Sequence, residues 1–196
     1  MTARAEVTSD QIAEIEDLLP EIRLIADARL RTATAEIWYE AWQESAWADG
    51  PLTSVPKNTQ LPPERKLVQH TRSVTQLALS AAEILRANHG LEADRDILIA
   101  AAILHDVCKL YENELSADGS AAQHSRAGDL IQHGVYGAFK AWEKDLPLDL
   151  VHNIVVHTRG SRVLPQTPEA LIVHYVDYLD SDSLLLHHDL KLLLTK

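Results

Sequence analysis

An all-α chain is what the sequence predicts, and three observations carry that prediction. Ala and Leu dominate while Gly contributes 7 of 196 residues, a balance that favours helix over sheet. Apolar residues can be followed at helical spacing, and no segment alternates convincingly as a strand. Pro and Gly gather between these segments, most densely in GPLTSVPKNTQLPP at 50–63, and so mark connections. Six or seven helices in one unit are expected.

In chain order, Thr8 opens the first helix, with Gln11 in capping-box register. Pro20 breaks or restarts it. Residues 21–48 hold neither Pro nor Gly and read as helical. Trp38 and Trp42, four apart, share one face: a packed core, the face of a homodimer, or a lid over an active site. The 50–63 loop joins an N-terminal helical extension, residues 1–60, to a main body, residues 61–196. A helix then runs from Pro63 to about Asn88 and stops at Gly90. The next, from about Asp94 to Leu110, is apolar almost all round between Ile97 and Leu104 and must lie centrally. A polar loop over 112–123 leads to helices near 125–143, 148–158 and 167–188.

Bulk properties exclude several functions. The net charge is −11, with 18 basic residues against 29 acidic ones, and no basic run appears. A protein that grips long nucleic acid usually clusters Lys and Arg, so long polymers are disfavoured. The longest apolar run, Ile97 to Leu104, is too short to span a bilayer. The opening MTARAEVTSD lacks the apolar core of a signal peptide, and the single Cys108 suits a reducing compartment. A cytoplasmic protein is expected.

Histidine and aspartate carry the chemistry. His105-Asp106 ends the apolar helix, and a carboxylate there is costly to bury without a cation or a dense hydrogen-bond shell. His70 shares its helix face with Val74, Leu77, Ala81 and Ile84, and so points inward. Asp177 lies within the apolar LIVHYVDYLDS. One shared divalent metal satisfies all three polar sites. His157 has Leu150 and Ile154 on its face, and His133 follows Leu130 by one turn. A lone inward histidine is more often a hydrogen-bonded core residue than a ligand, so these two gain weight only beside the others.

The ordered series His70, His105-Asp106 and Asp177 resembles the HD superfamily of metal-dependent phosphohydrolases. His133 and His157, between the pair and the last Asp, resemble its binuclear subset. The nearest likeness is to the HD domain of bacterial 3′–5′ exoribonucleases, through GDLIQH at 128–133, VVHTRGS at 155–161 and PQTPEALIVHYVDYLDS at 165–181. It covers about residues 65–185 and implies an HD-type helical bundle. It also implies that His70, His105, Asp106 and Asp177 hold one metal, and that Asp106 bridges to a second on His133 and His157. The ions would be Mn, Fe, Ni or Mg, with a hydroxide between them as nucleophile. Asp106 and Lys109 would be catalytic. Lys109 would neutralise substrate phosphate. Apart from the resemblance, Arg159 and Arg162 flank Gly160 just after His157; each alone reads as part of a solvated loop, and Arg159 is the candidate to bind substrate phosphate.

Three departures stand out. Cys108 replaces the family's usual Gly before Lys109. Thr158 stands where the exoribonucleases carry a further His. The nucleic-acid-binding module that accompanies those nucleases is not seen. His124 competes with His133, since both read H-x-x-x-G, and GDLIQH favours His133. His174, one turn before Asp177, is a candidate to orient it. The expected reaction is hydrolysis of a small phosphoester: a nucleotide, cyclic nucleotide or short oligonucleotide. The alternatives are a diiron oxygenase that cleaves a C–C or C–P bond, and a non-catalytic sensor.

Overall fold

The computed structural model describes residues 6–57, 59, 65–119 and 121–193. Among the described residues the chain is all-α apart from one small hairpin. The expected helix start at Pro63 and residues 1–5 of the opening lie outside the described residues.

Helix α1 (Ser9–Leu18) begins at the capping box: Gln11 N donates to Thr8 Oγ1, and Thr8 N donates to Gln11 Oε1. Pro20 then opens a 3-10 turn over Pro20–Leu24. Helix α2 (Ala28–Gln43) is shorter than the 21–48 stretch. The Asp96 carboxylate accepts Ala26 N and Asp27 N at 2.9 and 2.8 Å; these long-range bonds hold the backbone there outside a helix. Trp38 is wholly buried and donates its indole N–H to the Ile103 carbonyl at 3.0 Å, and Trp42 is 8% exposed. Core packing is therefore what this face does, and neither a lid nor a dimer face is available from Trp38.

Helix α3 (Leu67–His89) ends at Gly90, whose φ of 67° is the left-handed stop the sequence indicated. Helix α4 (Arg95–Leu104) is central. All eight residues from Ile97 to Leu104 are buried, and α4 packs against α2 and α3. It stops six residues before Leu110: a turn takes over at 105–108, followed by the short α5 (Lys109–Glu112). That turn aims the His-Asp pair out of the helical ladder. The expected polar loop contains β1 (Asn113–Leu115) and β2 (Ala122–His124), antiparallel with Asn113 opposite His124. Three residues a side are too few to show alternation in the sequence.

The single helix expected over 125–143 is two, α6 (Arg126–Leu130) and α7 (Val135–Glu143). Gly134 between them has a φ of 88°, and a Cβ there would sit 2.7 Å from the Ile154 carbonyl oxygen, so only glycine fits. Helices α8 (Leu148–Val156) and α9 (Pro168–His187) complete the chain, both packed on α4. One hydrophobic cluster extends from Ile15 in α1 to Val176 in α9. Among the described residues no helix is long and apolar enough to cross a membrane.

Candidate metal centre

Two helices end in the same device. His105 caps the C-terminus of α4 and His157 that of α8. Each bonds back through Nδ1 to a carbonyl three residues earlier, Ala102 and Ile154, at 2.7 Å in both cases. Helix C-termini leave carbonyls without intrahelical partners, and a carbonyl only accepts. Nδ1 of each ring is therefore the donor, and Nε2 carries a lone pair.

The other two histidines meet carboxylates at Nδ1. His70, on α3, donates from Nδ1 to Asp180 Oδ2 at 2.6 Å, and Asp180 is also held by Ser73 and Arg65. His133, on the turn before α7, donates from Nδ1 to Glu112 Oε1 at 2.6 Å. Glu112 also holds the Lys109 ammonium at 2.8 Å, and Lys109 Nζ and Cys108 Sγ both lie 3.2 Å from His133 Nδ1. Such outer partners fix ring orientation in metal sites.

All four Nε2 atoms converge on Asp106, whose side chain is wholly buried. Its Oδ2 faces His70 Nε2 at 3.3 Å and His105 Nε2 at 3.5 Å. Its Oδ1 faces His133 Nε2 at 3.0 Å and His157 Nε2 at 3.8 Å. Asp177 joins the Oδ2 side, its Oδ1 lying 3.1 Å from His70 Nε2 and 3.8 Å from His105 Nε2. The centre thus has two faces that share one carboxylate.

These contacts set acceptor against acceptor. The Nε2 atoms of His70 and His105 are 3.2 Å apart, and those of His133 and His157 are 2.9 Å apart. His105 and His157, each with its proton on Nδ1, bring a bare Nε2 acceptor into their pair. Neither Asp106 oxygen accepts a directed hydrogen bond, and besides the histidines the Lys57 ammonium lies against Oδ2. Buried lone pairs facing one another are costly, and divalent cations relieve that cost. His70, His105, Asp106 and Asp177 lie close enough to ligate one ion, and their imidazole and carboxylate donors suit a divalent transition metal.

The electrostatics agree at three of the four histidines. Burial lowers the pKa of His70 and pushes that of His105 well below the ordinary value. Burial, with His133 adding to it, takes His157 down to about 3. All three are thereby kept neutral, the form that binds metal. At His133 burial again favours the neutral ring, but Cys108 and Glu112 outweigh it and raise the pKa. Burial would raise Asp177, yet Lys57, His70 and His105 hold it well below the usual carboxylate range. Asp180, pulled down to about 2 by His70, Ser73 and Arg65 against its own burial, stays ionised.

Of the expected ligands, the structure brings His70, His105, Asp106, His133, His157 and Asp177 together. His124 is left exposed on β2. Lys109 stands at the rim beside His133. Arg159 lies over the Tyr178 ring, 4.9 Å from its centroid, and donates to the Leu193 carbonyl at 2.7 Å. His174 does not orient Asp177 through Nδ1, which is buried without a hydrogen-bond partner among the described residues; its ring packs on Tyr175 and Tyr178, and Ser181 reaches Asp177 Oδ1 at 3.4 Å instead.

Sequence reasoning missed Glu112, Asp180 and Lys57. Glu112 and Asp180 had a faint signal, an acid at helical or turn spacing from the motif: three after Lys109, and three after Asp177. Lys57 had none. It comes from the Pro-rich loop, is 5% exposed, and lays its ammonium against Asp106 Oδ2, 3.7 Å from Asp177 Oδ1. Burial pushes its pKa down to about 7 against the pull of Asp177.

Comparison with known proteins places this geometry. The HD domain family model matches residues 67–182. A dihydroneopterin 2′,3′-cyclic phosphate phosphodiesterase from Methanocaldococcus jannaschii is 34% identical over 119 residues, 60% of this chain and 47% of that protein. The match therefore spans about half the length of that relative. No solved structure matches.

Proposed function

Since the chain belongs to the HD domain family, we propose that it is a metal-dependent phosphohydrolase of small phosphoesters, with two divalent ions on the two faces of Asp106. The observation that carries this reading is the shared carboxylate. One oxygen faces His70 and His105, which Asp177 faces as well; the other faces His133 and His157. Divalent ions so held would supply an activated water and absorb charge on the phosphate oxygens.

The protein's own groups do the rest. Asp106 joins the two faces, and the Nδ1 bonds keep each imidazole turned toward them. His70, His105 and His157 side chains are wholly buried, whereas that of His133 is 22% exposed and that of Lys109 17%. Substrate therefore arrives on the His133 side, where Glu112 holds the Lys109 ammonium ready to meet a phosphate. Arg159 is the second phosphate-binding candidate; it would have to exchange the Leu193 carbonyl for the substrate. The acidic chain favours a compact substrate, a nucleotide, cyclic nucleotide or short oligonucleotide, over long RNA. The relative's action on a 2′,3′-cyclic phosphate supports cyclic phosphodiesters among these.

The test is a screen of phosphomonoesters and phosphodiesters, 2′,3′-cyclic phosphates included, with Mn²⁺, Fe²⁺, Ni²⁺ and Mg²⁺. Hydrolysis that needs an added or resident metal and is lost in Asp177→Asn is expected. Silence throughout from protein shown to be metal-loaded would overturn the hydrolase. Silence together with a diiron spectrum and oxygen uptake on an organic substrate would transfer the reading to an oxygenase.

A further inference from the structure

Lys57 lies outside the span matched by the HD domain family, in the loop that leads from the N-terminal helices into α3. Its backbone is anchored on both sides. Lys57 N donates to the Arg65 carbonyl and Leu67 N to the Val55 carbonyl, both at 2.9 Å, and Pro56 bridges antiparallel to Lys66. Buried Leu52 and Val55 root the loop in the core. Trp42 donates its indole N–H toward the Trp47 and Gly50 carbonyls, and Trp47 donates to Asn113, which holds the segment leading into it. The same arm places Arg65 on the Asp180 carboxylate behind His70.

From this anchor the Lys57 stem runs inward to Asp106 Oδ2 and Asp177 Oδ1. Both carboxylates belong to the four-residue group that could ligate one ion. A metal normally sits about 2.0–2.2 Å from a carboxylate oxygen. An ammonium on that same oxygen would then crowd and repel it within a few ångströms, in a site where water screens little. Charged or neutral, the amine occupies the space.

We propose that Lys57 is a built-in competitor for the metal on the Asp106 Oδ2 face: its amine and a divalent ion bind there by turns. This rests on the metal-centre reading above. Lys57 keeps two buried carboxylates from facing each other uncompensated whenever that face lacks an ion. Each loading event must expel it, so the N-terminal arm sets how readily the HD centre fills.

The experiment compares the full-length wild type with Lys57→Met and Lys57→Gln, stripped with a chelator and titrated with Mn²⁺. Both variants are expected to bind one ion about tenfold or more tightly than the wild type, because they no longer have an ammonium to displace. Their chelator-treated forms are expected to melt lower than the wild type, and that gap to close at saturating Mn²⁺. Equal affinities with equal melting temperatures overturn the proposal. Should neither variant fold, wild-type Lys57 is followed by amine labelling and mass spectrometry. Faster labelling with Mn²⁺ than with chelator supports it, and unchanged labelling overturns it. A wild type that binds no metal at all defeats the metal-centre reading instead.

Discussion

Each imidazole of the centre splits its two nitrogens between separate tasks. Nδ1 is bound outward, to a helix-terminal carbonyl at His105 and His157 and to a carboxylate at His70 and His133. Nε2 of each ring is thereby aimed at Asp106. His133 is the most exposed member, and His124, nine residues earlier with the same H-x-x-x-G context, is out on β2. If two ions bind as proposed, replacing His133 by Ala is expected to lower the metal content by one and cut turnover strongly. His124→Ala should leave metal content unchanged. Metal analysis of the two variants decides it, and the reverse pattern would exchange their roles. Loss of either outer carboxylate, Glu112 or Asp180, acts at one remove, because such partners typically govern metal affinity by about 10–100-fold.

At the scale of elements, the centre depends on where helices stop. Had α4 continued to Leu110, Asp106 would have remained within the helical ladder instead of in the turn that aims it. The break between α6 and α7 does the same for His133. Close backbone contact also seats α6 on α5: a Cβ on Gly128 would lie 2.4 Å from the Glu112 carbonyl oxygen. Backbone cannot yield as a flexible side chain can. Gly128→Ala is expected to destabilise the protein by about 1–3 kcal/mol, the range for overpacking, measured by urea denaturation. Because α6 leads into His133, the same change should weaken metal binding on the Asp106 Oδ1 face. A neutral result in both would mean that α6 shifts freely.

For the whole molecule, the buried centre couples folding to metal and to pH. An ion that binds only the native state raises its stability by about 2.7 kcal/mol at a hundredfold excess over Kd. Melting temperature is therefore expected to rise on loading and fall with chelator. The acid response follows from His157, whose pKa drops from 6.5 to about 3 on burial. Between those values the unfolded chain binds the proton and the folded one does not. Stability is thus fully present above pH 6.5 and is lost progressively as pH falls toward 3. Protons also compete with metal for the same nitrogens, so loading weakens in the same direction. Thermal melts of the chelator-treated protein from pH 7.5 to 4 test the first effect. A melting temperature that stays flat or rises over that range would contradict it.

Much of this was legible along the chain. The all-α class followed from composition and spacing, the capping box at Thr8 and the stop at Gly90 from local chemistry, and the centrality of α4 from eight consecutive apolar residues. The inward histidines and aspartates were legible too, because a polar group on an apolar face needs a partner wherever the face ends up. Features set between distant segments were not. The turn at 105–108 and the 131–134 break answer to packing, as Gly134 against Ile154 illustrates. The hairpin is too short to have a period, and the backbone at Ala26 and Asp27 is held by a carboxylate 70 residues away. Lys57 is the clearest case. In sequence it is one lysine among prolines. Only the anchoring of its loop beside α3 brings an amine to the two carboxylates, because a side chain's electrostatic partners are fixed by distance in space and not along the chain.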